Sequence, residues 1–401
     1  MKTIKYIKVA SLALILSVFL ITACDKDNSD LNSVAGDNGS TGILKAGNNG
    51  ATSYIVLLND DFEAAGELSG KSDYDQRKEV MSGYLNRFLN GKGVGSDQVD
   101  QVYTTVFMGF AARLSGPQVE KLLNDPRVKS IEPDQQITLG KPGGGGTTPP
   151  AQVIPWGVTR VGGGLDGTGK RAWIIDSGID LDHPDLTVDL TLSKSFLGSR
   201  TTADDQNGHG THVAGTIAAK NNSIGVVGVA AGATVIAVRV LDRSGSGSTS
   251  GVIAGVDYVT ANGVGDVANM SLGGGVSDAL DTAVSNMGAH GVKVALAAGN
   301  ESDDANNHSP ARVNGNNIYT VSAMGKGDLW ASFSNFGNPP IDYCAPGVSI
   351  SSCYKGGGYA TMSGTSMAAP HVAGLLVLGA ISTNGNVIGD PDGNADPIAH
   401  H

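Results

Sequence analysis

Hydrophobic and polar positions follow three different patterns along the chain, and the first occupies the amino-terminal 50 residues. Lys2, Lys5 and Lys8 precede an apolar run over residues 9–21. This run of 13 residues is too short to cross a hydrocarbon core of ~30 Å comfortably, and its length is typical of a secretory signal peptide. Residues 25–50 are rich in Asp, Asn, Ser and Gly. We therefore predict a signal peptide over residues 1–23 and a flexible tether over residues 24–50.

The second pattern, over residues 51–139, alternates strand-like and helix-like segments. Strands are predicted at 54–58, 102–107, 109–112 and 128–137, and helices at 73–90 and 116–124. The order strand, helix, strand, strand, helix, strand is that of a small α+β ferredoxin-like domain. Residues 140–150 consist mainly of Gly, Pro and Thr, which predicts an exposed linker between two folded units.

From residue 151 onward, short apolar runs alternate with longer helix-like stretches. Strands are predicted at 172–175, 234–238 and 292–296, and helices at 211–219, 249–262 and 279–288. Near-continuous apolar strands separated by helices indicate a parallel sheet covered on both faces. The predicted fold class of residues 151–401 is therefore α/β, with three layers and a mainly parallel central sheet. In such sheets, functional residues gather at the carboxyl ends of the strands.

Composition narrows the class of protein further. The formal net charge is −11, which disfavours sequence-independent binding to nucleic acid. The 58 glycines follow no fixed period, which excludes a collagen-like chain. Charged residues make up 16%, fewer than in an average domain, as expected of an exported protein.

Three segments of the third region each present one reactive group. Asp176 follows an apolar strand, His209 lies in a Gly-rich segment before a predicted helix, and Ser366 lies in Gly-Thr-Ser. A serine hydroxyl needs a neutral imidazole as base, and a carboxylate must orient that imidazole. Taken singly, each residue has an ordinary alternative role, such as a helix cap. His209 and His212 are also one helical turn apart, but Gly210 replaces the glutamate of a zinc motif and no third ligand is apparent.

The order Asp, His, Ser and the residues around each of them resemble the subtilisin-like serine peptidases. Residues 51–139, with Ile131-Glu132-Pro133-Asp134 near their end, resemble the inhibitory propeptide of that family. The resemblance implies a secreted, monomeric serine endopeptidase that acts on proteins or peptides and is made as a self-processing zymogen, with its propeptide as an intramolecular inhibitor. An inactive binding lipoprotein on the same fold is the alternative, and the complete triad disfavours it.

The resemblance also implies the remaining parts of a peptidase site. Asn300, after the strand at 292–296, is expected to donate to the oxyanion together with the backbone N–H of Ser366. Small residues on either side of the cleft are expected to bind substrate as an added strand and to form the primary pocket. These are Ser271, Leu272, Gly273, Gly274, Gly245, Ser246, Gly247, Ala298 and Gly299.

Residues 220–226 resemble the calcium loop of the family. The implied ligands of a structural Ca²⁺ are the side chains of Gln152, Asp185 and Asn222 and the carbonyls of Lys220, Ile224 and Val226. An ordinary Asn-rich turn is the alternative for this loop.

Three cysteines complete the set of reactive groups. Cys24 ends Ile21-Thr22-Ala23-Cys24, which resembles a bacterial lipobox and implies a lipid-anchored protein of the cell envelope, or an extracellular one after further processing. The anchor would be the only contact with a membrane. Cys344 and Cys353 are close enough in sequence to form a disulfide in an oxidising compartment, or they are two small buried thiols.

Overall fold

The computed structural model describes residues 51–139, 145–146 and 151–401. The predicted signal peptide, tether and Cys24 lie outside these residues. Within the described ranges, no helix has the length and apolar character needed to cross a bilayer.

The N-terminal unit, residues 51–139, is an antiparallel sheet with two helices. Its elements are β1 (Thr52–Leu58), α1 (Tyr74–Asn90), β2 (Val99–Tyr103), β3 (Gly109–Leu114), α2 (Gly116–Leu123), β4 (Val128–Pro133) and β5 (Gln136–Thr138), with single turns at Ala65–Leu68 and Ser96–Gln98. The strand order is β2-β3-β1-β4. Asp73 caps α1 by accepting a hydrogen bond from Gln76 N, which is why this helix begins where the sequence predicts.

The C-terminal unit, residues 151–401, is built on a ten-stranded sheet. Its main elements are β6 (Arg171–Asp176), α3 (His209–Ala218), β7 (Thr234–Arg239), β8 (Ser246–Ser248), α4 (Thr249–Asn262), β9 (Val267–Met270), α5 (Asp278–Ala289), β10 (Lys293–Ala297), β11 (Ile318–Met324), β12 (Ile341–Pro346), β13 (Ile350–Tyr354), β14 (Gly358–Met362), α6 (Thr365–Leu378), β15 (Ser382–Asn386) and β16 (Pro397–His400). Short helical turns lie at Trp156–Arg160 and Ala305–Asn307, and two-residue strands at Leu165–Asp166, Thr187–Val188, Lys194–Ser195 and Ala230–Ala231. The two-residue strand Gly145–Gly146 precedes this unit and pairs antiparallel with β14.

The central sheet is parallel from the strand at Lys194–Ser195 through β7, β6, β9, β10, β11 and β12 to β16, and β15 adds antiparallel to β16. Alternate residues of β6 point to opposite layers. Ala172 and Ile174 pack in a core shared with α3 and α6, whereas Trp173 and Ile175 pack in a core shared with α4 and α5. This arrangement confirms the predicted three-layer α/β class, because a strand covered on both faces is apolar at every position.

The two units share one of these cores. Ile55 and Leu57 of β1 belong to the α4/α5 core, whereas Val56 on the same strand packs under the helices of the N-terminal unit. The ring of Tyr74 meets that of Tyr258 on α4 edge-on, with centroids 5.1 Å apart. The antiparallel sheet is therefore buried on both faces, one of them covered by the C-terminal unit.

Two strand predictions in the N-terminal unit are wrong at their ends. β2 stops at Tyr103, not at residue 107, because the backbone N–H groups of Thr104, Thr105 and Val106 bond to the carboxylate of Asp257 on α4 instead of to a strand. The strand predicted at 128–137 is interrupted after Pro133 and continues as β5, which pairs antiparallel with β8. Asp134 lies in the interruption and accepts hydrogen bonds from Ser250 N and Oγ, at 2.9 and 2.7 Å.

The predicted disulfide is not present. Cys344 on β12 and Cys353 on β13 are both free and buried, and they belong to two different core clusters. Burial raises the pKa of both thiols. The other interpretation of these residues, two small buried thiols, agrees with the structure.

Candidate active site

A buried polar contact at the carboxyl edge of the sheet joins Asp176 and His209. Asp176 is the last residue of β6 and is fully buried, and His209 is the first residue of α3. His209 Nδ1 lies 2.8 Å from Asp176 Oδ1 and 3.0 Å from Oδ2. Gly208 before it has φ of 109°, and the ring of Tyr354 occupies the place of a side chain there, so only glycine fits this entry to the helix.

Opposing effects set the protonation of His209. Burial of the imidazole is the largest effect and disfavours its charged form, but the charge of Asp176, the hydrogen bond to it and the charge of Asp205 together raise the pKa of His209 above its ordinary value. A bond from Nδ1 to a carboxylate leaves Nε2 of the neutral ring as the atom that accepts a proton.

Ser366 is the second residue of α6, beside the same edge of the sheet. Its Oγ donates to the carbonyl of Ser271 at 3.1 Å, and its own carbonyl accepts from Ser271 Oγ at 2.8 Å. Among the described residues, no hydrogen bond joins Ser366 to His209. Catalytic hydrogen bonds in ligand-free sites are often unformed and tighten when substrate binds, so the serine rotamer is compatible with a nucleophile at rest.

The side-chain amide of Asn300 is held in one orientation. Its Oδ1 accepts hydrogen bonds from Thr365 N at 2.8 Å and Thr365 Oγ1 at 3.1 Å. This leaves Nδ2 as the end of the amide that can donate to a ligand. Asn300 and Ser366 line the same cavity, of about 280 Å³.

His212 is part of the core. Its Nε2 bonds to the carbonyl of Ile350 at 3.0 Å, and burial together with the charge of His209 lowers its pKa to about 3. Nδ1 of His209 is thus engaged by Asp176, and Nε2 of His212 is engaged by the Ile350 carbonyl. In the described part of the chain, no group of three or more His, Cys, Asp or Glu side chains is placed to hold a metal ion.

The predicted substrate edges flank the cavity, and one of them is occupied by the chain itself. Strand β5 pairs with β8 in the register Thr138 to Ser246 and Ile137 to Gly247, and Leu139 N donates to Gly245 O at 2.8 Å. On the other side, the segment Ser271–Gly274 lines the cavity together with Ala298 and Gly299. The end of the N-terminal unit therefore lies in the cleft as an added strand.

The residues predicted to bind calcium lie together. The buried Asp185 carboxylate accepts hydrogen bonds from Asn222 Nδ2 at 2.6 Å and Val226 N at 3.1 Å. Gln152 Nε2 donates to the Lys220 carbonyl at 3.2 Å.

The donor chemistry of this loop fits a hard cation with one adjustment. Asp185 has no Lys or Arg within 4.0 Å in the described ranges, so its buried charge is not paired. Asn222 Oδ1 accepts from Ile224 N. The amides of Asn222 and Gln152 must therefore turn over before their oxygens become available to an ion.

Four acidic residues at or near the site were missed by sequence reasoning. Asp205 accepts hydrogen bonds from Thr211 N at 3.0 Å and from Ser177 Oγ at 3.0 Å, and it holds the first turn of α3. Glu132 accepts from Ser277 Oγ and from Ala279 N at the start of α5, while Asp134 and Asp257 join the N-terminal unit to α4. Asp205 lies three residues before the N-cap Gly208, outside the usual capping position, so the standard capping pattern does not identify it. Glu132 and Asp134 belong to the motif that resembles the family's propeptide, but the sequence does not show their distant partners, and no local pattern marks Asp257.

Comparisons with known proteins agree with this geometry. Residues 172–383 match the Subtilase family, and residues 53–140 match Peptidase inhibitor I9. The chain is 45% identical over 298 residues to "Alkaline serine exoprotease A" of Vibrio alginolyticus. The aligned region covers 71% of this chain and 54% of that protein, so the chain spans about half of that relative. It is 40% identical over 340 residues to the "Extracellular serine proteinase" of a Thermus species, which covers 81% of this chain and 79% of that protein.

A solved structure extends the likeness to three dimensions. The crystal structure of a cold adapted subtilisin-like serine proteinase matches with a TM-score of 0.55 at 40% identity, over 62% of this chain and 98% of that one. The fold and site thus define a serine peptidase with an N-terminal inhibitory domain. The chain belongs to the subtilase family, and its N-terminal unit is an I9 propeptide domain, here called the propeptide; the C-terminal unit is the catalytic domain.

Proposed function

We propose that this protein is an exported serine endopeptidase made as a zymogen that cleaves itself, and that Ser366, His209 and Asp176 carry the chemistry. The observation that carries the proposal is the buried Asp176–His209 bond of 2.8 Å at the edge of the sheet where Ser366 and Asn300 line one cavity. An inactive binding protein would have no need of this arrangement.

The reaction uses each side chain in turn. Ser366 rotates its Oγ away from the Ser271 carbonyl and attacks the substrate carbonyl while His209 Nε2 takes its proton. The imidazolium is stabilised by Asp176 and then protonates the leaving amine. Water hydrolyses the acyl-enzyme by the same route in reverse. Nδ2 of Asn300 and the N–H of Ser366 stabilise the oxyanion, and loss of such a donor costs about 2.7–4 kcal/mol in a related enzyme.

The zymogen state rests on the strand pairing of β5 with β8. Because this strand takes the place of an extended substrate, the propeptide inhibits the site it covers. The Gly- and Pro-rich sequence of residues 140–150 comes next in the chain, and such a sequence suits a cut by the active site.

The location and ion requirement are inferred from sequence. Cys24 carries a lipid that anchors the protein at the bacterial cell envelope, after removal of residues 1–23, and the protein acts as a monomer on protein or peptide substrates. Ca²⁺ bound by Asp185, Asn222, Gln152 and the carbonyls of the 220–226 loop supplies structural stability. The name of the Thermus relative, an extracellular proteinase, supports the exported location.

A fluorophosphonate probe tests the central claim, because it forms a covalent bond only with an activated serine. Processed wild-type protein should be labelled at Ser366. Ser366→Ala should not be labelled, whereas Ser332→Ala, a change at an exposed serine, should be labelled as wild type is. Equal labelling of Ser366→Ala and wild type would refute the assignment.

A further inference from the structure

The cavity beside Ser366 contains two ionisable groups that the mechanism does not use. Its floor is apolar and small, formed by Ala297, Ala298 and Ala311, and the ionisable side chains among its described lining residues are Glu301 and His308. This cavity receives the acyl-side residue, the one whose carbonyl is attacked, because β5 enters it from the N-terminal direction. The charge of these two groups is therefore presented directly to substrate.

Glu301 lies at the rim of the cavity, with its side chain 53% exposed and its carboxylate hydrogen-bonded. Its Oε2 accepts hydrogen bonds from Asn300 N and from Asn335 Nδ2, both at 2.8 Å. Asn335 is fully buried and also donates to the Ala298 carbonyl at 3.0 Å. All these donors are neutral. No Lys or Arg lies within 4.0 Å of this carboxylate in the part of the chain that the structure describes.

His308 supplies the counter-charge that Glu301 otherwise lacks. Its Nε2 lies 3.3 Å from Asp303 Oδ2 and 3.9 Å from Glu301 Oε2, and its side chain is 21% exposed. Among the described residues that line the cavity, no other group is charged. Asp281, whose pKa is raised to about 6 by burial, lies outside this lining, beside Ser309 and Arg312. The segment Ser271–Gly274 and the first turn of α6 are uncharged there, and the guanidinium of Arg312 is turned to Asp281 at 3.5 Å.

We propose that His308 sets the charge preference for the acyl-side residue. When the imidazole is neutral, Glu301 and Asp303 are uncompensated, and the cavity favours the cationic side chains of Lys and Arg over apolar ones. When the imidazole is protonated, it neutralises part of this charge and the preference shifts toward apolar side chains. Substrate choice thereby becomes a function of pH, because the charge of an imidazole depends on pH. This inference rests on the proposed peptidase function.

The test uses two peptide substrates that differ at one position, with lysine or the uncharged norleucine as the acyl-side residue. The ratio of their kcat/KM values is measured from pH 5.5 to pH 8.5 on processed enzyme. Titration of His209 affects both substrates equally and cancels in the ratio. We expect the ratio of kcat/KM for the lysine substrate to that for the norleucine substrate to rise about threefold with pH. A change of this size is the effect of one partly exposed ion pair.

The variants separate the outcomes. His308→Gln should abolish the rise, Glu301→Gln should lower the ratio throughout, and His290→Gln, a change at an exposed histidine after α5, should leave both unchanged. If His308→Gln does not fold, wild-type enzyme in about 0.5 M salt should show a smaller rise than in about 0.02 M salt, because salt screens this interaction. A flat wild-type ratio, or the same rise in His308→Gln, overturns the proposal. Failure of the peptidase function is distinct, since neither substrate would then be cleaved.

Discussion

The propeptide and the catalytic domain form their sheets in different ways. The four-stranded sheet of the propeptide is antiparallel, and its β2 and β3 strands are joined by a short connection that pairs Val102 with Phe110. In the catalytic domain, β6 lies between β7 and β9 and pairs Ala172 with both Val235 and Val267. Each parallel pair requires closure of a long loop before any contact forms, which slows folding. We therefore expect the propeptide to fold first as a template and then to block the cleft.

The largest effect is expected when the nucleophile is removed from the catalytic domain and the propeptide is left unchanged. Ser366→Ala should lose activity by about 10⁶-fold, as for the nucleophile of subtilisin, and should accumulate as an uncut precursor containing both domains. Because the propeptide makes its contacts without Ser366, the precursor should still fold. The measurement is precursor size and circular dichroism in a host lacking other proteases. Normal maturation of this variant would show that another protease makes the cut.

Asp176→Asn tests the electrostatics of the catalytic side alone. We expect kcat to fall by about 10⁴-fold, because the amide favours the wrong imidazole tautomer. In wild type the raised pKa of His209 means that the base form is lost as pH falls, so kcat/KM should decline with a midpoint above the ordinary imidazole value of about 6.5. The variant lacks the carboxylate charge, and its midpoint should lie lower. An unchanged midpoint in the pH–rate profile would argue against this role of Asp176.

Asp257→Ala tests the contact between the two domains. The change leaves the backbone N–H groups of Thr104, Thr105 and Val106 without their acceptor, and each buried unsatisfied donor costs about 1–3 kcal/mol. The processed variant should bind the propeptide about 100-fold more weakly, measured as an inhibition constant with a peptide substrate. Asn262→Ala, at the far end of the same helix, is the matched control. Equal inhibition constants for wild type and Asp257→Ala would count against the contact.

The same contact predicts a folding effect. Denatured catalytic domain should refold faster when the separate propeptide is added, and Asp257→Ala should reduce this acceleration. Stopped-flow fluorescence of Trp173, which lies in the shared core, reports the rate. If the added propeptide changes neither the rate nor the yield, the template role is wrong.

Calcium has the smallest expected effect and acts on the catalytic domain only. An ion bound by the folded state stabilises it by RT ln(1 + [L]/Kd), about 2.7 kcal/mol at a 100-fold excess over Kd. Chelation should therefore lower Tm and speed self-digestion without changing kcat of the surviving molecules. Asp185→Ala should remove most of this response, and Asp189→Ala, a nearby acidic control, should keep it. Identical melting curves in calcium and in chelator would exclude a stabilising ion.

Sequence alone predicted what depends on local pattern or on family motifs. The buried strands and several of the helices follow from the pattern of apolar residues, and α4 has the predicted ends. The placement of Asp176, His209, Ser366 and Asn300 around one edge follows from the topology of a parallel sheet. The break after Pro133 was missed because Asp134 acts on α4 more than a hundred residues away. The free cysteines were undecided because a short sequence separation does not show which core each thiol enters.

The shared core has a further consequence for the lifetime of the inhibitor. When the propeptide leaves, Ile55 and Leu57 are no longer covered by α4 and α5, and one apolar face of its sheet becomes exposed to solvent. The catalytic domain keeps its own two cores. A small sheet with one solvent-exposed apolar face unfolds readily. We expect the unfolded chain to be a substrate for the peptidase that released it. We therefore expect separation of the two domains to be irreversible, because the released inhibitor is degraded by the peptidase it had blocked.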